Sequence, residues 1–139
     1  MTTPRVPEWA QQLTSALDDR MGMELVELDA QRVVGRMPVE GNTQPYGILH
    51  GGASCVLVEG LGSMGALCHA MGFGKVAVGV DISVTHHRSI REGWVTGVAT
   101  PIHLGRTIAC YEVIISDDAD RRLATGRITC QLIDAPRTA

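Results

Sequence analysis

The run of residues 52–71 is apolar around nearly its whole circumference, broken by Gly60, Gly62 and Gly65 and carrying a single carboxylate, Glu59. A helix without a polar face has to be buried on most sides, so the remainder of the chain must fold around it. Each interior glycine costs roughly 1 kcal/mol relative to alanine, a penalty that makes sense where another backbone or a ligand approaches closely. Between Val56 and Cys68 no other charge accompanies Glu59. Ionising a carboxylate there is expensive without dedicated partners, and a residue kept at that expense is a candidate for chemistry.

The rest of the chain supplies the cover. Residues 75–85, 93–103, 106–116 and 122–133 are rich in Val, Ile and Thr and are predicted strands, the last two joined by a turn at residues 117–120. Upstream, alternation at Val26, Leu28 and Ala30 and again at Val33, Met37 and Val39 predicts a hairpin turning near residues 29–32. Pro7 and Glu8 followed by Trp9, Leu13 and Leu17 predict one short amphipathic helix stopped by Gly22, its stripe lying on the body of the domain. Residues 41–47 are loop chemistry. The order helix, two strands, long helix, four strands implies an α+β fold, an antiparallel sheet wrapped around one long central helix.

With 139 residues, 45% of them apolar, the chain can bury a core as one domain, residues 1–139, in which only 1–7 and 135–139 look dispensable and mobile. Cys55, Cys68, Cys110 and Cys130 sit in apolar runs without a Cys-x-x-Cys pair and read as small hydrophobes of a reducing compartment. The sequence lacks a signal-like apolar segment and a run of eighteen apolar residues, which predicts a cytoplasmic protein without a membrane partner. A net charge of −3 argues against a nucleic-acid partner but leaves room for a small basic pocket at Arg88, Arg91 and Arg106. The histidines have no ligand-like spacing, so no metal is expected.

His50-Gly51-Gly52 opens the long helix, where backbone N–H groups lack intrahelical partners beside the positive end of the dipole. Such a start can hold an oxyanion, and glycine lets a carbonyl approach without meeting a Cβ; a plain tight turn is the competing reading. Glu59 and Ser63, four apart, share a helix face. Glu59 lies two turns from Gly51, roughly 10 Å along the axis, too far to act on a carbonyl held at its own Gly51. A second copy of the helix would close that gap and put the site at a dimer interface. Against this stand ordinary roles: Glu59 paired with Arg36 or Arg127, Ser63 as a packing residue, His50 satisfied by backbone. His86 and His87, adjacent in a strand, face opposite sides. The cations at residues 86–91 and 103–106 suit phosphates or a solvated basic face equally.

The pattern Gln44-Pro45-x-Gly47-x-Leu49-His50-Gly51-Gly52-Ala53-Ser54, then Glu59 and Ser63, resembles the hotdog-fold acyl-CoA thioesterases, in particular the branch acting on hydroxybenzoyl-CoA, dihydroxynaphthoyl-CoA and phenylacetate-pathway thioesters. Gly79-Val80-Asp81-Ile82, His86-x-Arg88-Ser89-x-Arg91-Glu92-Gly93 and Pro101-x-His103-Leu104-Gly105 extend the resemblance over residues 21–133. It implies hydrolysis of an aromatic or medium-chain acyl-CoA, with Glu59 as nucleophile or general base. It further implies Gly51 N–H polarising the carbonyl, Gln44 orienting it and Ser63 positioning water or the carboxylate. Gly79, His86, Arg88, Ser89, His103, Leu104, Gly105 and Arg106 would contact coenzyme A, which is part of the substrate, so no separate cofactor is implied. The minimal unit would be a homodimer, with a tetramer expected. Residues 68–74 depart from relatives, leaving the acyl end of the pocket open. A hotdog hydratase or dehydratase, with His50 as acid/base, is the alternative; a catalytically idle CoA-ester binder ranks last because Glu59 and Gln44 are both present.

Overall fold

In the computed structural model, which describes residues 5–13 and 15–136, two short helices, α1 (Glu8–Gln11) and α2 (Ala16–Met21), lead into a hairpin of β1 (Glu24–Asp29) and β2 (Arg32–Pro38). The long helix α3 (Gly51–Met71) follows, and then β3 (Lys75–His86), β4 (Trp94–Leu104), β5 (Ile108–Asp117) and β6 (Arg122–Asp134). The strands form one antiparallel sheet in the order β1-β2-β4-β5-β6-β3. Its concave face wraps α3, as the apolar helix requires. Leu57, Val58 and Ala66 on the helix and Val95, Val113, Ile115 and Ile128 on the strands have no exposed surface. By length and hydropathy α3 would suit a bilayer, but the sheet covers one side of it, where Leu57, Val58, Leu61 and Ala66 are buried.

Gly62 and Gly65 have a different cause from the one the sequence suggests. A Cβ on Gly62 would collide with the Ile128 side chain, and one on Gly65 would come within 2.8 Å of the Tyr111 ring. Large strand side chains, not backbone or ligand, are seated in these gaps. The arrangement anchors Tyr111 so that its hydroxyl donates to Ala30 O at 2.6 Å, and burial pushes its pKa upward.

The N-terminal segment also departs from expectation. Ser15, in an extended conformation, caps a new helix by accepting from Asp18 N–H at 3.3 Å, so two short helices replace one. Leu13 and Leu17 are more than half exposed; buried Ala10 and partly buried Val6, Trp9 and Met21 rest on the core. Of the ends expected to be dispensable, residues 1–4 and 137–139 lie outside the described residues. Residues 5–7 are tied down: Leu28 N–H donates to Arg5 O at 2.7 Å and Val6 packs on the core.

The edge strand β3 matters most for the site. A bulge at Val80 sets two residues of β3 against one of β6, which reverses the inward parity. Ala77 and Gly79 face the helix before it, and Val84 and His86 after it. The other edge of β3 has no strand partner among the described residues, and Val78, Val80 and Ile82 along it are exposed.

Candidate active site

The loop feeding α3 is pinned from two sides. Buried Asn42 donates through Nδ2 to Met21 O at 2.7 Å and Pro38 O at 2.8 Å, and its carbonyl accepts His50 N–H at 2.8 Å. Arg91 donates to Tyr46 O at 3.0 Å. Arg91 therefore fastens this loop, in place of the free phosphate-binding role the sequence allowed. Gln44 Oε1 accepts Tyr46 N–H, which leaves its amide NH2 as the end available to a ligand.

At the helix start His50 is the N-cap: its Nδ1 accepts Gly52 N–H at 2.8 Å. Its carbonyl accepts from Ala53 and Ser54. Gly51 N–H is thus the donor left over among the described residues, and it opens into a cavity of about 320 Å3 bordered by Gln44, Ser54, His86, Arg88 and Ser89. The His86 ring lies over Gly51, where a Cβ would come within 3.1 Å of its Cε1. A side chain at position 51 would therefore crowd the histidine. His87 faces the other way, its Nε2 2.9 Å from Thr125 Oγ1.

Glu59 occupies the opposite end of the arrangement. Its carboxylate lies against Gly79 of β3, where any Cβ would meet it. Gly79, which the family pattern assigned to coenzyme A contact, therefore makes room for the carboxylate. Cys130 is the register partner of Gly79 and sits beside both Ser63 and Glu59. Burial raises the Cys130 pKa to about 11, the Ser63 hydroxyl opposes the rise by hydrogen bonding to it, and the Glu59 charge adds to it. Cys130 stays a neutral thiol.

The two ordinary partners considered for Glu59 are absent. Arg36 pairs with Glu24 at 3.6 Å and stacks over the Trp94 ring at 3.9 Å. Arg127 projects from the convex face, its Nη2 3.7 Å from Cys110 Sγ. No ion pair or hydrogen bond engages Glu59 among the described residues.

The expected basic pocket is split within one chain. Arg88 and Ser89 stand at the helix start, whereas Arg106 caps the β4–β5 hairpin at the far end of the sheet, where Leu132 N–H donates to Thr107 O at 2.8 Å. In that hairpin Leu104 belongs to the core, and a Cβ on Gly105 would run into His103 Nε2 and Ile108 O. Sequence reasoning missed the tie that holds it: His69 Nε2 lies 2.6 Å from Gly105 O, with Phe73 edge-on to the ring at 5.2 Å. No local signal marks that contact, because it joins elements 36 residues apart.

The sequence model of the Thioesterase superfamily matches residues 46–124, spanning the helix start, Glu59 and the strand end at His86. The proofreading thioesterase EntH of Cronobacter turicensis is 42% identical over 114 residues, 81% of this chain and 82% of that protein. The chain belongs to the thioesterase superfamily. This thioesterase shares the hotdog fold of its solved relatives and is a thioester hydrolase. The thioesterase HI1161 of Haemophilus influenzae superposes with a TM-score of 0.84 at 32% identity, over 96% of this chain and 92% of that one. Zebra fish thioesterase superfamily member 2 gives 0.72 at 29% identity, over 80% and 81%. The His50 ring caps α3 through Nδ1, which leaves Nε2 as its outward nitrogen.

Proposed function

We propose that the protein hydrolyses acyl-CoA thioesters at two equivalent sites shared between the subunits of a homodimer. The observation that carries this reading is the division of labour along α3: a free donor at Gly51 and an unpaired carboxylate at Glu59, two turns apart and facing different stretches of β3. Because His86 lies beside Gly51 and Gly79 beside Glu59, antiparallel pairing of β3 with its copy, centred midway between positions 79 and 86, near Ile82 and Ser83, brings the Gly51 end of one chain to the Glu59 end of the other. The unpaired, apolar edge of β3 favours such pairing, since an exposed long edge strand is a template for another strand.

The same pairing explains the split basic patch. The β4–β5 hairpin lies level with Ala77 of β3, through Leu132, and the proposed register sets the partner's Arg88 across from Ala77. Arg106 of one chain and the partner's Arg88 then flank one site and suit the phosphates of coenzyme A.

In the reaction, Gly51 N–H and the Gln44 amide hold the thioester carbonyl. Glu59 either attacks the carbonyl carbon, giving an anhydride that water opens, or takes a proton from the water that attacks. The C–S bond breaks, the acyl group leaves as a carboxylate, and the sulfur takes up a proton as coenzyme A. One preorganised donor at the developing oxyanion contributes about 3 kcal/mol to lowering the barrier.

Complementation between subunits tests the shared site. Gly51→Pro removes the N–H at a first-turn position whose backbone suits proline and sets ring carbons against His86, disabling the helix-start half of the site, and Glu59→Gln removes the carboxylate. Each variant alone should release little thiol from acyl-CoA. Refolded together in equal amounts, half the dimers are mixed and one of two sites in each is intact, so about a quarter of the activity should return. No return of activity in mixtures shown by mass to contain mixed dimers contradicts the shared site.

The arginine assignment makes a separate prediction. Arg88→Ala and Arg106→Ala should each raise KM for acyl-CoA and leave kcat nearly unchanged, because remote phosphate contacts hold ground state and transition state alike. Raising ionic strength should act in the same direction. An unchanged KM in both variants and in salt means that these cations are solvated surface and that the nucleotide binds elsewhere.

A further inference from the structure

A second, larger cavity, of about 650 Å3, opens on the other flank of α3. Its floor is Gly60, Leu61 and Met64 of α3, its wall Met23 and Leu25, and its roof Ala10 in the N-terminal segment. Asp18, Asp19 and Glu24 stand at its edge. The volume lies in the range of ligand pockets and the lining is mainly apolar, as such pockets are.

Its position relative to Glu59 gives it a role. Gly60 directly follows Glu59, and neighbouring helix residues are separated by about 100°, so the cavity mouth at Gly60 is about 9 Å round the helix surface from Glu59. The intervening side of α3, with Val56, Ser63 and Leu67, is the side its own sheet leaves partly uncovered. A side chain at position 60 would stand across this path; a Cβ there already comes within 3.3 Å of Met23 Cε. Glycine keeps the passage open at a place where the helix would be more stable with alanine.

We propose that this cavity receives the acyl chain of the thioester cleaved at Glu59, making the enzyme selective for uncharged alkyl acyl groups long enough to pass Gly60. The inference rests on Glu59 being the reacting carboxylate. Short acyl groups end before the mouth and gain nothing from the cavity. Acyl groups with a terminal carboxylate meet Asp18, Asp19 and Glu24 and are repelled.

The test is the ratio of kcat/KM for decanoyl-CoA to that for butyryl-CoA, which cancels any loss of folded enzyme. Wild type should favour decanoyl-CoA over butyryl-CoA and over decanedioyl-CoA, whose terminal carboxylate reaches the acidic edge of the cavity. Gly60→Val should lower the decanoyl to butyryl ratio by about tenfold or more, the scale on which a hydrophobic pocket discriminates. Met23→Ala, which widens the mouth, should raise it, and it decides the matter by itself if the valine variant does not fold. An unchanged ratio in the folded variants, or an equal fall for both substrates, overturns the assignment. Absence of thiol release from every acyl-CoA by the wild-type enzyme would instead defeat the acyl-CoA reading on which this one stands, so the two failures are distinguishable.

Discussion

Replacing Glu59 by Gln is expected to lower thioester turnover by a factor on the order of a hundred or more, the scale of losing a positioned base or nucleophile. Fold and assembly should be unaffected. The reason for expecting such a clean separation is the setting of the carboxylate. It has no ion pair to lose, it lies against Gly79 with no side chain between, and the amide is nearly isosteric. A structural carboxylate would behave in the opposite way, since truncating one member of a buried pair strands the other charge and destabilises the fold. Steady-state assays beside a urea titration distinguish the two. Near-wild-type hydrolysis by the variant contradicts the mechanism, and a large loss of stability with activity per folded molecule intact makes Glu59 a structural residue.

Gly62→Leu should destabilise the protein by about 3 kcal/mol. Two effects of opposite sign meet at this position. Any residue other than glycine or proline gains up to about 1 kcal/mol of helix stability there, which by itself predicts a more stable variant. But the space a side chain would occupy is held by Ile128, which has no exposed surface and cannot move outward without breaking the β5–β6 register. Overpacking wins because the core is close-packed and its neighbours are strand side chains fixed by cross-strand pairing. The check is a denaturant midpoint that falls with the slope unchanged. A midpoint that rises instead would mean that the sheet yields at Ile128 and that propensity governs the position.

Glu59 and Gly62 differ in how far along the chain their neighbours lie. Glu59 stood out because it is a charge in an apolar run, a property of the chain alone. Gly62 was equally visible as an anomaly, yet its cause was misjudged, because what fills the gap is a side chain 66 positions later, brought there by β6. Gly79 is a second case of a glycine whose neighbour is set by the fold. The family pattern tied it to coenzyme A, and only the bulge at Val80, which changes the face that β3 presents, directs it at Glu59. The N-terminal helix was predicted whole because Trp9, Leu13 and Leu17 keep helical spacing; Ser15 was a capping residue in plain view, and its extended conformation divides the segment.

The central helix, the strands that cover it, the hairpin turns and the family are legible along the chain, since hydrophobic periodicity, turn residues and the Gln44-to-Ser63 pattern act over short distances. Strand ends agree with expectation to within a residue or two for β3 through β6. The tertiary structure alone decided which donor is free at the helix start, that Arg91 is a loop fastener, that Arg88 and Arg106 stand at opposite ends of one chain, and that a cavity lies one helix residue beyond Glu59. The physical reason is that each of these depends on strand register and on side-chain volume meeting across the sheet, and a shift of one residue in either would turn the same side chains to the opposite face.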